Sequence, residues 1–302
     1  MKFVTDYPVR SDLGGIWIQP ETIASGCKQI EAAGFHGLGI TDHPAPSLKW
    51  LHRGGHEAFD PFGMLSFMAA VTTRVNLLTH LLVVPYRNPL LQLSGMTTVD
   101  VLSGGRAIFV LGTGYLRSEF SALGVEFDER NALFDEAIAV FKQASVNEEI
   151  TYEGLHFNAL GQTVQPSFVQ KPHPPLWLGG NSTRVMERLA EWGEGWSVMM
   201  GPAELSTTAR TKPISTIDDL RVVLKDLQSR VEANGRSMDE ISIQASHPAM
   251  HADVSAEQKI DAIGELAEIG VSWVVADVWT DSVSESADRI QQFSEQVIAR
   301  TT

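Results

Sequence analysis

One cysteine in 302 residues excludes an intramolecular disulfide and any metal site built from several thiolates. Basic character is also missing. The chain has 23 lysines and arginines against 37 aspartates and glutamates, a net charge of −14, the wrong sign for a nucleic-acid or anionic-membrane surface. No apolar run approaches the ~20 residues of a membrane span. Met1-Lys2-Phe3-Val4-Thr5-Asp6 contains no long apolar segment, so no signal peptide is expected and a soluble, cytoplasmic protein is. There is no G-x-S-x-G nucleophile elbow and no H-E-x-x-H zinc pattern. His52 and His56 stand i, i+4 beside Glu57, but Gly54 and Gly55 between them argue against a helix, so no metal is expected. Cys27, at helical spacing with Ile23 and Ile30, reads as a core residue.

What the chain does have is a set of apolar runs that end in small, polar or glycine-rich clusters. Leu38-Gly39-Ile40 runs into Thr41-Asp42-His43, and Leu81-Leu82-Val83-Val84 into Pro85-Tyr86-Arg87. Ala107-Ile108-Phe109-Val110-Leu111 runs into Gly112-Thr113-Gly114-Tyr115, and Leu176-Trp177-Leu178 into Gly179-Gly180-Asn181-Ser182. A helical pattern follows each. The spacing predicts strands over 2–6, 35–41, 75–84, 106–112, 175–179, 195–199, 240–246 and 271–277, each followed by a helix. Two of these helices fall at 61–73 and 88–102. Glycine closes helices before strands at Gly34, Gly193 and Gly270, where a left-handed C′ residue is wanted. Apolar stripes recur at 3.6-residue period: Leu133, Ala137, Val140 and Ala144; Ile217, Leu220, Leu224, Leu227 and Val231; Ile260, Ile263 and Ala267. Thr216 with Asp219, and Ser255 with Gln258, read as capping boxes.

Eight such units predict an α/β fold, a closed (β/α)8 TIM barrel forming a single domain over residues 1–302. Two insertions are expected: a hairpin within 148–170, before strand five, and a long loop at 200–215, after strand six. In this topology the strand C-termini share one face, where such proteins build their sites.

At that face Asp42-His43 offers an acid/base imidazole with an adjacent carboxylate, or a helix N-cap aspartate beside a surface histidine. Gly112-Thr113-Gly114 lets a flat ligand approach the backbone, or makes a tight turn. Arg117 stands where a dinucleotide fingerprint would want its third glycine. Tyr115 and Arg117 are placed to stack on or pair with a ligand. Gly179-Gly180-Asn181-Ser182 opens a helix and reads as an anion site or as an ordinary N-cap. Arg87, Arg117, Arg210 and Lys212 supply cations near this face.

Several stretches together resemble a family: Pro85-Tyr86-Arg87-Asn88-Pro89, Thr98 through Arg106, Gly112 through Phe120, Lys171 through Ser182, and Gly193-Glu194-Gly195-Trp196. They are similar, in matching order from about residue 15 to 200, to the bacterial luciferase-like flavin and deazaflavin oxidoreductases. The branch that uses the deazaflavin coenzyme F-420 is the most similar. The resemblance implies a (β/α)8 barrel with the coenzyme ring in its mouth. It implies that Asp42 contacts the polar edge of the ring and that His43 is the catalytic acid/base. It implies a non-proline cis peptide near His80-Leu81 behind one face of the ring, with His80 where relatives often carry a small residue. Gly112, Thr113, Gly114 and Tyr115 would line the ring, and Gly179, Gly180, Asn181 and Ser182 would hold ribityl or phosphate oxygens.

The function expected from the resemblance is hydride transfer between F-420 and a small organic substrate, by a protein that is a homodimer like many relatives. An FMN-dependent two-component monooxygenase and a catalytically silent ligand-binding barrel are the alternatives. Nothing in the sequence identifies the substrate or the direction of transfer.

Overall fold

The computed structural model of the protein describes residues 1–251 and 253–301. Among the described residues ten strands are present: β1 (Lys2–Asp6), β2 (Gly37–Ile40), β3 (Asn76–Val83), β4 (Ala107–Gly112), β5 (Ile150–Glu153), β6 (Asn158–Gln162), β7 (Leu176–Gly179), β8 (Gly195–Met199), β9 (Ser242–Ser246) and β10 (Trp273–Val275). Eight close a barrel in the order β1-β10-β9-β8-β7-β4-β3-β2. Pairing is parallel, as in β1 with β2 and β8 with β9, and helices connect successive barrel strands. This is the expected (β/α)8 architecture. Strands of such a barrel are covered on both faces and read as continuous apolar runs, as in β4, where every residue is buried.

The chain divides into two compact units. One comprises Met1–Gly39, Arg74–Asn76 and Leu176–Thr302; the other comprises Ile40–Thr73 and Leu77–Pro175. In the first, the N-terminal strand ends are plugged by rings. Trp177 meets Trp273 edge-on at 5.4 Å, the Lys2 ammonium lies 4.7 Å from the Trp273 ring, and His36 Nδ1 accepts the Phe3 N–H at 3.3 Å. Gly195 is obligatory there, since a Cβ would fall on the Trp177 indole. In the second unit, the helices Pro61–Val71 and Pro89–Ser103 pack closely because Gly95 leaves room for the Phe62 ring. Both open on an acidic or amide cap followed by proline: Asp60 takes the Gly63 N–H and Asn88 the Leu90 N–H, each at 2.9 Å. Asp100 is fully buried and accepts from Val169 N, Gln170 N and Gln170 Nε2 at 2.7–3.1 Å, fixing the chain that leads into β7.

The expected insertion before strand five is an antiparallel hairpin, β5–β6. The His156 imidazole ties it to Glu136 of the helix Arg130–Val146, with Nδ1 2.6 Å from Oε1. The expected capping boxes at Thr216/Asp219 and Ser255/Gln258 both form. Two expectations need correction. Residues 200–215 are not loop throughout, because Ala203–Thr208 is helical. In the helix Ala256–Glu268 the buried stripe is Lys259, Ala262, Ile263 and Leu266, and Ala267 is exposed. Leu266 outcompetes Ala267 for the core because it removes more apolar surface from water. Among the described residues no helix is long and apolar enough to cross a membrane.

Candidate active site

The chain leaves β2 through Thr41, Asp42 and His43. Asp42 is 2% exposed, and its carboxylate is fully engaged. Oδ2 accepts the Val83 N–H at 2.9 Å and Arg87 Nη1 at 2.6 Å, and Oδ1 accepts Arg87 Nη2 at 2.8 Å. Arg87 also lies 3.5 Å from Asp60 Oδ2. Burial alone would make the guanidinium easier to deprotonate, but the hydrogen bonds and charge of Asp42 outweigh it and hold Arg87 above its ordinary value. Asp42 and Arg87 are thus an anchored pair joining the ends of β2 and β3. Arg87 is turned toward carboxylates of its own chain.

His43 stands beside this anchor, in a wall of rings. Its centroid lies 4.6 Å from Trp50, 5.0 Å from His56 and 6.1 Å from Tyr115. Trp50 belongs to a short helix, Leu48–Leu51, capped by the Ser47 hydroxyl. The phenol of Tyr115 is pushed up to about 12, chiefly by burial and then by the charge of Glu119; a hydrogen bond with Trp50 works in the opposite sense. His43 Nδ1 is 3.1 Å from Glu119 Oε2. The Glu119 side chain is fully buried in the helix Arg117–Ala122, which follows β4. Glu119 Oε2 also accepts the Tyr86 hydroxyl at 2.9 Å, and Oε1 accepts the Ala45 N–H at 2.9 Å. Burial works to raise the Glu119 carboxyl, but these hydrogen bonds prevail and hold it below its ordinary range. Tyr86 is shifted upward, by burial first and then by the Glu119 charge.

The peptide bond His80-Leu81 is cis, in β3 as the resemblance implied. Gly112 faces Leu81: a Cβ there would collide with the Leu81 side chain. Gly114 has φ +74°, and a Cβ would come within 2.7 Å of Val83 and 2.9 Å of Phe120. These two glycines therefore admit the chain's own core, in which Val83, Tyr86, Phe120 and Phe127 pack with Leu81. Thr113 lies between them. Arg117 is drawn away from the group, to Asp128 at 2.9 Å and over the Phe127 ring at 4.1 Å.

Gly179, Gly180, Asn181 and Ser182 belong to the other unit. Gly180 has φ +97°, and only Thr211 Oγ1, at 3.8 Å, lies within 4 Å of a Cβ placed there, so its face is open. Ser182 caps the helix Thr183–Glu191 by accepting the Val185 N–H at 3.3 Å. Asn181 is buried and acts as a clasp. Its Nδ2 donates to Met199 O at 2.8 Å and Lys212 O at 3.0 Å, its Oδ1 accepts the Met199 N–H at 3.2 Å, and its own N–H donates to Thr211 Oγ1 at 2.6 Å. The left-handed glycine before this nine-residue helix leaves room at the positive end of the helix dipole, while its own N–H is donated to Ser197 O at 3.3 Å. The Asn181 side chain is committed to the protein.

The sequence does not disclose Glu119 as a partner of His43. The available signal is an acid in the first turn of the helix after Gly112-Thr113-Gly114-Tyr115, next to apolar Phe120. Tyr86 carries no signal beyond its place after a strand. Among the described residues no group of three or more histidines, cysteines, aspartates or glutamates is arranged to hold a metal ion.

Comparison with known proteins gives a consistent picture. The family profile described as "Luciferase-like monooxygenase" matches residues 8–270. An F-420-dependent glucose-6-phosphate dehydrogenase from Kineococcus radiotolerans is 30% identical over 226 residues, covering 74% of this chain and 61% of that protein. An FMNH(2)-dependent dimethylsulfone monooxygenase from Pseudomonas putida is 24% identical over 174 residues, covering 57% of this chain and 44% of that protein. The chain thus spans less than two thirds of the length of these curated relatives. The solved structure of a coenzyme F-420-dependent tetrahydromethanopterin reductase from Methanopyrus kandleri shares the fold, with a TM-score of 0.75 at 18% identity over 100% of this chain and 99% of that one.

Proposed function

We propose, from the premise that this chain belongs to the luciferase-like monooxygenase family, that it is an oxidoreductase transferring a hydride between coenzyme F-420 and a small organic substrate. The observation that carries this reading is the imidazole of His43, walled by Trp50, His56 and Tyr115 just beyond the C-terminal end of a barrel strand, the end at which (β/α)8 enzymes carry their chemistry. F-420, when bound, supplies a two-electron hydride carrier. This chain's residues supply the rest. His43 gives or takes the substrate proton, and the rings around it restrict water. The open face of Gly180 and the helix that Ser182 caps suit an anionic tail. Tyr115 stays a neutral phenol at physiological pH and can line a ring as donor or acceptor. Asp42 serves this site through the backbone it holds, and Leu81, joined to His80 by the cis peptide bond, through the wall it forms beside Gly112.

The two cofactors found among the relatives are separated by titrating the purified protein with F-420 and with FMN and following tryptophan fluorescence. Saturable quenching by F-420, with FMN weaker, is expected. Tight FMN binding without F-420 binding overturns the assignment and favours a flavin-dependent monooxygenase, the reading supported by the dimethylsulfone monooxygenase relative. The homodimer remains part of this proposal. The exposed Leu91 and Leu102 on the helix Pro89–Ser103 support it, and sedimentation tests it.

A further inference from the structure

The carboxylate of Glu119 has a more specific task than filling space beside His43. Three groups converge on it: the Ala45 N–H on Oε1, and the Tyr86 hydroxyl and His43 Nδ1 on Oε2, at 2.9–3.1 Å. The backbone N–H can only donate. An ionised carboxylate can only accept. Hydrogen bonds to the charged form of a carboxyl favour that form, and here they overcome the effect of burial. An acceptor at this place requires the ring nitrogen facing it to carry the proton, whatever the state of the other nitrogen.

We propose that Glu119 is a positioning residue that locks the His43 imidazole as the Nδ1–H tautomer, with Ala45 N–H and Tyr86 fixing the direction of its carboxylate. The exchangeable position of the ring is then Nε2. A neutral His43 presents a lone pair there, and a protonated His43 presents an N–H there. Nδ1–H stays on Glu119 in both states, so the ring does not swing as its charge changes. The ring planes of Trp50 and His56, within 5.0 Å, hold the same orientation from the other sides. The kinetic consequence rests on the acid/base reading of His43 given above. The tautomer itself does not.

The test uses the full chain labelled with ¹⁵N-histidine. The ring nitrogens of His43 are assigned by the signals lost in His43→Ala and recorded at a pH where the ring is neutral. The wild-type protein is expected to show a protonated Nδ1 and a bare Nε2. In Glu119→Gln the amide can offer an N–H to the ring, so the pattern should invert or become mixed. Turnover should fall by about 10²–10⁴-fold with KM little changed, and Glu119→Asp should restore the wild-type pattern in part. A wild-type spectrum with protonated Nε2 and bare Nδ1 overturns the proposal even if Glu119→Gln does not fold. So does a Glu119→Gln protein that keeps both the wild-type pattern and its turnover. If His43→Ala retains full turnover, the acid/base reading fails while the tautomer assignment is still decided by the spectrum.

Discussion

Asp42→Asn should lower the thermal midpoint by about 5 °C at neutral pH, and the reason is the cation it leaves behind. The Arg87 guanidinium holds both Asp42 oxygens, and the Asp42 carboxylate also takes the Val83 N–H. The Asp42 side chain is 1% exposed and that of Arg87 18%. Removing one partner of a buried pair costs about 3–5 kcal/mol, mostly because the other charge is left uncompensated. Asp60, at 3.5 Å and well exposed, offers Arg87 a partial substitute, which places the expected loss at the lower end, about 3 kcal/mol. For 302 residues, an unfolding entropy of about 2.1 cal/mol/K per residue gives about 0.6 kcal/mol/K, so 3 kcal/mol becomes about 5 °C. The assay is calorimetry on wild type, Asp42→Asn, Arg87→Gln and the double variant. If the stranded charge is the cause, the double variant is more stable than the two single losses predict, by about 0.5–3 kcal/mol. A single variant melting with the wild type, or strict additivity, refutes the argument. Weakened F-420 binding with an unchanged midpoint would instead make Asp42 a coenzyme ligand and not an anchor.

His43→Ala should reduce turnover by about 10²–10⁴-fold while leaving F-420 affinity by fluorescence titration unchanged. Gly112→Ala places a Cβ on Leu81, and overpacking of this kind costs about 1–3 kcal/mol, read as a lower melting midpoint. The hairpin anchor is pH-dependent with two opposed limbs. His156 is raised above its usual 6.5 by the hydrogen bond to Glu136, so its contribution is complete below that value and is lost as pH rises through the folded-state pKa. Glu136, which burial works to raise, is nevertheless held below its usual 4.5 by the His156 backbone and ring, so its contribution is present above that value and is lost as pH falls. Hydrogen exchange in β5–β6, corrected for intrinsic rates, should show greatest protection between these two values, and Glu136→Gln should flatten the dependence.

The barrel was legible because each of its units is local. Strand β3, expected at 75–84, runs Asn76–Val83. The capping boxes lie within three residues of each other in the chain, so the sequence alone declares them. Of the candidate site, the sequence showed single positions and not the contacts between them. His43 is announced by its place after Ile40, but its partner Glu119 lies 76 residues away, and Arg87 lies 45 residues from Asp42. No periodicity or spacing reports contacts at that range. Arg87 and Arg117, read as cations for an anionic ligand, are paired within the chain. Their charge was visible in the sequence and their partners were not. The glycines at 112 and 114 were recognised as places of close approach, yet what approaches is Leu81, Val83 and Phe120.

The clasp at Asn181 changes how the segment after β8 can be treated. Gly201 N–H meets Ile214 O at 3.0 Å, the Ser215 hydroxyl meets Gly201 O at 3.0 Å, and Asn181 grips Met199 on one side and Lys212 on the other. The stretch is thus drawn shut at its neck like a purse, and its interior is a cassette. Each doubling of a flexible loop adds only about 0.6 kcal/mol of closure entropy. Grafts of other lengths between residues 202 and 210 should therefore leave the barrel standing, read as an unchanged melting midpoint.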